Sequence, residues 1–82
     1  MRTYTIVLTQ EPEDGRWNAS VPALDGCFTY GDTREEAIAM AQDAITGYLA
    51  TIARQGETIP DDVAVAVATI QVDESVVVAA MD

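Results

Sequence analysis

Hydrophobic and polar positions alternate from the start of the chain: Tyr4, Ile6 and Leu8 share one face, Thr3, Thr5, Val7 and Thr9 the other. A period of two, rich in β-branched residues, predicts a half-buried strand over about residues 3–10. Pro12-Glu13-Asp14-Gly15 breaks the pattern with an Asp-Gly pair suited to positive φ, so a hairpin turn is expected there. Alternation resumes over 16–22, with Trp17, Ala19 and Val21 facing one way and Arg16, Asn18 and Ser20 the other. Pro22 stops this strand, since it cannot donate to a ladder. After a turn over Ala23–Gly26, Cys27-Phe28-Thr29-Tyr30 predicts a short third strand over 27–30, ended by Gly31-Asp32.

The period then changes. Thr33-Arg34-Glu35-Glu36 has the capping-box spacing, in which the Thr hydroxyl and the Glu carboxylate satisfy each other's orphan backbone donors. Ala37, Ala41, Ala44, Ile45, Tyr48 and Ile52 form one apolar stripe, predicting a helix over about 34–55. At 1.5 Å per residue it would be about 33 Å long, enough to cross a small sheet. Gly56 suits the C-terminal cap and Pro60 blocks continuation. Gly47, costing about 1 kcal/mol relative to Ala in mid-helix, predicts close approach of another backbone.

The last third alternates large and small apolar residues from Val63 to Ala68 and continues through Ile70 and Val72. After Asp73-Glu74-Ser75, Val76-Val77-Val78-Ala79-Ala80 resumes the pattern. The expectation is a C-terminal strand region over about 63–80. A strand apolar on both faces needs cover on both, and a domain this small is marginal alone. A homo-oligomer, dimer or tetramer, joined through this strand is therefore expected.

Composition narrows the function. The 82 residues carry 14 Asp and Glu against 4 Lys and Arg, all four Arg, for a formal net charge of −10. With 49% hydrophobic residues the composition is globular rather than that of an acidic tail. So acidic a body repels phosphate, which argues against direct nucleic-acid binding. The absence of His removes imidazole acid–base chemistry, the usual triads and His-ligated zinc. The single Cys27 closes no internal disulfide and fits a reducing compartment. Neither an apolar signal stretch nor a membrane-length run is evident, so a soluble, cytoplasmic protein with no membrane partner is expected.

Candidate chemistry is sparse. The carboxylates Glu11, Glu13, Asp14, Asp32, Glu35, Glu36, Asp61 and Asp62 fall in turns or the first helical turn. Negative charge is favoured at a helix start without any metal, so they read as solvated and capping residues. Cys27 has no neighbouring base and reads as a core thiol. Tyr4, Trp17, Phe28, Tyr30 and Tyr48 lack the positive groove a base-stacking platform needs, and read mostly as packing residues. Trp17, beside the hairpin, is the one aromatic assigned a share in a partner surface. No catalytic residue, cofactor or metal is expected. The acidic surface would steer a basic partner and mimic a phosphate array, or simply confer solubility.

The motifs resemble a known family. The stretch Asp14-Gly15-Arg16-Trp17-Asn18-Ala19-Ser20-Val21-Pro22-Ala23-Leu24-Asp25-Gly26-Cys27 resembles the acidic-Gly turn, aromatic and Val-Pro-x-Leu-x-Gly-Cys corner of HicB-like antitoxins. Tyr30-Gly31-Asp32-Thr33-Arg34-Glu35-Glu36-Ala37 resembles that family's helix start, and Gly56-Glu57-Thr58-Ile59-Pro60 its helix end. Together they cover about residues 3–60. The resemblance implies an α+β fold, a truncated ribonuclease-H-like β-β-β-α-β domain with one long helix packed on a face of an antiparallel sheet. A single domain over 1–82 is expected, without the C-terminal DNA-binding module of many members. The resemblance also implies a non-enzymatic antitoxin that binds and occludes a small basic RNA-cleaving toxin. The alternative is a standalone oligomeric scaffold or small-ligand-binding module with no toxin partner. The candidate partner-binding residues are Glu11, Glu13, Asp14 and Trp17.

Overall fold

The computed structural model describes residues 1–81. Strands β1 (Val7–Gln10), β2 (Trp17–Ser20) and β3 (Phe28–Gly31) form an antiparallel sheet in the order β1-β2-β3. The 21-residue helix α1 (Arg34–Arg54) lies on one face, and a short helix α2 (Glu74–Met81) follows a long connection. The ladder from β1 to β2 starts at Val7↔Ser20, because beyond Ser20 the chain turns into the Pro22 corner and leaves residues 3–6 without a sheet partner.

Local chemistry sets each junction. In the hairpin the Arg16 N–H donates to Asp14 Oδ1 at 2.9 Å, the Gly15 N–H donates to the Glu11 carbonyl at 3.0 Å, and Gly15 takes φ +74°. The corner closes through Leu24 N–H to Val21 O and Cys27 N–H to Leu24 O, both 3.0 Å, with Gly26 at φ +74°. Thr33 caps α1, its hydroxyl accepting from the Glu36 N–H at 3.0 Å. At the other end Glu57 N–H donates to Ile52 O and Gly56 N–H to Ala53 O, each at 3.1 Å, with Gly56 at φ +73°. This is the paired bonding of a Schellman motif.

The core has two parts. Ala19, Ala37 and Ala41 meet where α1 crosses β2, flanked by Ile6, Leu8 and Trp17. Val21, Leu24 and Cys27 fill the corner beneath Tyr4, Ile45, Tyr48 and Leu49. Leu24 is 1% exposed, and the Tyr48 hydroxyl clamps the corner by donating to Asp25 O at 2.8 Å.

The close approach expected at Gly47 occurs elsewhere. A Cβ at Gly47 would meet nothing within 4 Å, whereas one at Gly31 would lie 2.5 Å from the Ala37 backbone nitrogen. Gly31 thus serves helix-to-strand contact, and Gly47 faces open space.

The C-terminal third also departs from expectation. No strand forms over 63–80: residues 63–73 lack regular structure and Glu74–Met81 are helical. A strand needs a neighbour for its backbone groups, while a helix satisfies its own. Asp73, expected only to interrupt, starts α2, with its Oδ1 accepting from the Ser75 N–H at 3.0 Å and the Ser75 hydroxyl at 2.7 Å. These bonds hold the Asp73 carboxyl below its ordinary range. The arm is rooted beside the residues preceding β1. The Thr5 N–H donates to Asp62 Oδ1 at 3.0 Å and the Thr5 hydroxyl to Asp62 Oδ2 at 2.7 Å, while the Tyr4 hydroxyl donates to Pro60 O. Arg2 pairs with Asp61 at 3.3 Å. Beyond this root Val67 is 91% exposed, and Val63, Val65, Ile70, Val72, Val76 and Val77 are exposed as well. The radius of gyration is 17.0 Å, against about 12 Å for a compact chain of this length.

Gly47→Ala should raise stability by roughly 1 kcal/mol, and Gly31→Ala should lower it by about 1–3 kcal/mol, both read from urea unfolding. The Thr5 bonds also lower the Asp62 carboxyl below its ordinary value of 3.8. Its contribution to stability is complete above that value and is lost as pH falls through the lowered one. Carbon-detected NMR titration should give Asp62 a midpoint below 3.8, and Thr5→Val should move it up.

Candidate partner-binding surface

Because α1 covers one face of the sheet, alternation decides what the other face presents. Ala19 and Trp17 turn towards α1, so Asn18 and Ser20 point away from it. The register then sets Val7, Ser20 and Phe28 in one row, and Thr9, Asn18 and Tyr30 in the next. Phe28 is 74% exposed and Tyr30 56% exposed. The Arg16 guanidinium sits 4.7 Å from the centroid of the Tyr30 ring, within cation–π range. Beside them the Asn18 amide donates to Glu11 Oε1 at 2.9 Å.

One end of the sheet gathers the acidic residues. The hairpin after β1 and the segment after β3 lie at the same end, since Gln10, Trp17 and Gly31 share one register row. Glu11, Glu13 and Asp14 come from the hairpin, and Asp32, Glu35 and Glu36 from the start of α1; all six are exposed. Glu35 and Glu36 are also favoured there by the helix dipole. The only cations interspersed in these two segments are Arg16 and Arg34, and Arg34 reaches Glu35 at 3.9 Å in an exposed pair of little energetic consequence.

The four residues singled out from sequence divide. Glu11, Glu13 and Asp14 stand on the hairpin in solvent, with Glu11 and Asp14 also bonding Asn18 and the turn backbone. The Trp17 ring is partly buried, on the α1 side against Ala19, Ala37 and Ala41. The aromatics that project outward are Phe28 and Tyr30, whereas the sequence pattern points to packing roles for both. The available signal was their phase: both alternate with Thr29 and Gly31, and Gly31 is the position α1 approaches.

Other candidate chemistry has structural explanations. Burial raises the Cys27 thiol above its ordinary value, keeping it protonated near neutrality in the corner core. Asp61 and Asp62 root the arm. Among the described residues no three His, Cys, Asp or Glu side chains are grouped to hold a metal ion, and no helix is long and apolar enough to cross a membrane. An open groove of about 470 Å³ runs between the residues leading into β1 and α1, lined by Tyr4, Ile6, Ile38, Ile45 and Leu49 among others.

Comparison with known proteins places this architecture. The sequence profile described as HicB_like antitoxin of bacterial toxin-antitoxin system matches residues 4–81. The UPF0150 protein Ta0767 of Thermoplasma acidophilum is 43% identical over 59 residues, covering 72% of this chain and 84% of that protein. The UPF0150 protein ssr1765 of Synechocystis is 37% identical over 59 residues, 72% of this chain and 73% of its own. No solved structure matches. The profile match over residues 4–81 establishes that this chain, with its three-stranded sheet and capped helix, belongs to the HicB-like antitoxin family of bacterial toxin–antitoxin systems.

Proposed function

We propose that the protein is a non-enzymatic, cytoplasmic antitoxin that binds a small basic RNA-cleaving toxin and occludes its catalytic surface. The observation that carries this reading is the family match over residues 4–81, supported by a net charge of −10 that suits a cationic partner. The mechanism is steric cover combined with electrostatic attraction, which raises the encounter rate with a basic partner and discriminates against acidic ones.

The protein acts as a homo-oligomer, dimer or tetramer, held through the C-terminal arm. The exposed Val67, Ile70 and Val72 support this, because a continuous apolar segment of this kind is normally covered. The same arm also suits a standalone scaffold or small-ligand-binding module without a toxin, with the groove beside Tyr4 and Leu49 as its ligand space.

Co-expression with the product of the adjacent reading frame separates the two. The antitoxin reading expects a stable mixed complex whose partner cleaves RNA when freed and stops when the antitoxin is returned. A homo-oligomer that captures no such partner would overturn it in favour of the scaffold. For the assembly, light scattering should give a multiple of the 8.8 kDa chain mass, and the double substitution Val67→Asp with Ile70→Asp should reduce it to 8.8 kDa.

A further inference from the structure

We propose that the outer face of the sheet, centred on Arg16, Phe28 and Tyr30, is where the basic protein partner seats, with the acidic end of the sheet guiding it there. This inference rests on the antitoxin reading and adds to it the surface used.

Phe28 and Tyr30 stand side by side along β3, on the face away from α1, and both are exposed. The Arg16 guanidinium covers the Tyr30 ring at 4.7 Å, so a planar cation and an aromatic are already stacked before any partner arrives. Arg and Tyr are among the residues that dominate binding energy when desolvated at the centre of an interface. Around this centre the border is polar and predominantly acidic, with Arg34 set among its carboxylates. Glu11, bonded to Asn18, stands beside it, and Glu13, Asp14, Asp32 and Glu35 occupy the adjoining end. An aromatic and Arg core with a charged border is the usual anatomy of a specific protein interface.

Charge selects the occupant. A second copy of this chain would bring another −10 against the same border, and a nucleic acid would bring phosphates to it. A cationic protein gains from the border on approach and desolvates the aromatics on contact.

The test uses the full chain and the co-expressed product of the neighbouring reading frame. Tyr30→Ala and the pair Phe28→Ser with Arg16→Ala should each weaken the complex about tenfold to hundredfold, mainly through faster dissociation. Glu13→Gln with Glu35→Gln should slow association and flatten its salt dependence. Circular dichroism should show all variants folded, because the substituted side chains are exposed. A second measurement needs no variant: hydroxyl-radical footprinting of the wild-type complex should protect Phe28 and Tyr30. Wild-type binding with unchanged affinity in the variants and no protection would overturn the surface and leave the antitoxin reading standing. Variants that change the homo-oligomer mass but not toxin affinity would assign the face to self-association and overturn it too. Failure of the wild type to bind any partner would remove the antitoxin reading itself.

Discussion

The structure depends on how closely α1 can approach the sheet. Gly31 ends β3 directly beneath the first turn of the helix, where a Cβ would come within 2.5 Å of a backbone nitrogen. Ala19, Ala37 and Ala41 continue the contact with the smallest side chains that still exclude water. A helix seated this low on β2 and β3 fills the space beneath it without large residues. It also determines what remains open: the groove beside β1 on the inner face, and the entire outer face. Larger residues at the contact would lift the helix and move Tyr48 away from the corner it clamps at Asp25.

A core of this kind is economical in volume but limited in energy. Of the large side chains among the described residues only Leu24 is fully buried, and the Ala-based contact removes little apolar area per residue. Small domains bury a low fraction of their unfolded surface and commonly need a further source of stability. No disulfide supplies it here, and the exposed arm beyond Asp62 contains much of the chain's unburied aliphatic surface. Its root is nevertheless ordered by Thr5 and Asp62, so the arm leaves the body from a defined place and in the absence of a neighbour remains uncovered. Covering it in an assembly would join the stability of each subunit to association.

What could be read from sequence follows the range of the physics involved. The hairpin at Asp14-Gly15, the corner around Leu24 and Gly26, the Thr33 cap and the Gly56 stop are decided by residues a few positions apart, and the structure has all of them. The roles of the glycines were harder to assign, because close approach depends on which strand the helix crosses: Gly31 meets Ala37, while Gly47 meets nothing. The C-terminal third departs from its alternating pattern for a related reason. Alternating valines favour a strand only where a partner strand exists, and Asp73-Glu74-Ser75 is as much a helix start as an interruption. At the candidate site the acidic hairpin was legible, since charge in a turn is nearly always exposed. The aromatics were not, because Trp17 and Tyr30 differ only in the phase of their strands relative to the helix.

The apolar arm and the aromatic outer face are both exposed, and their electrostatic settings differ. Residues 63–72 contain no charged side chain, whereas Phe28 and Tyr30 lie beside a carboxylate-rich end. Two bodies of −10 repel each other over distances comparable with the Debye length, about 8–10 Å at ordinary ionic strength, so in the proposed assembly an uncharged arm is where copies of this chain would meet at least cost. In that assembly the same repulsion would protect the aromatic face from self-association and leave it to a basic partner. On the proposed reading, charge placement therefore separates self-assembly from partner capture on one 82-residue chain, and the requirement falls on where the carboxylates stand rather than on how many there are. Moving the acidic end to the arm would keep the net charge and remove that separation.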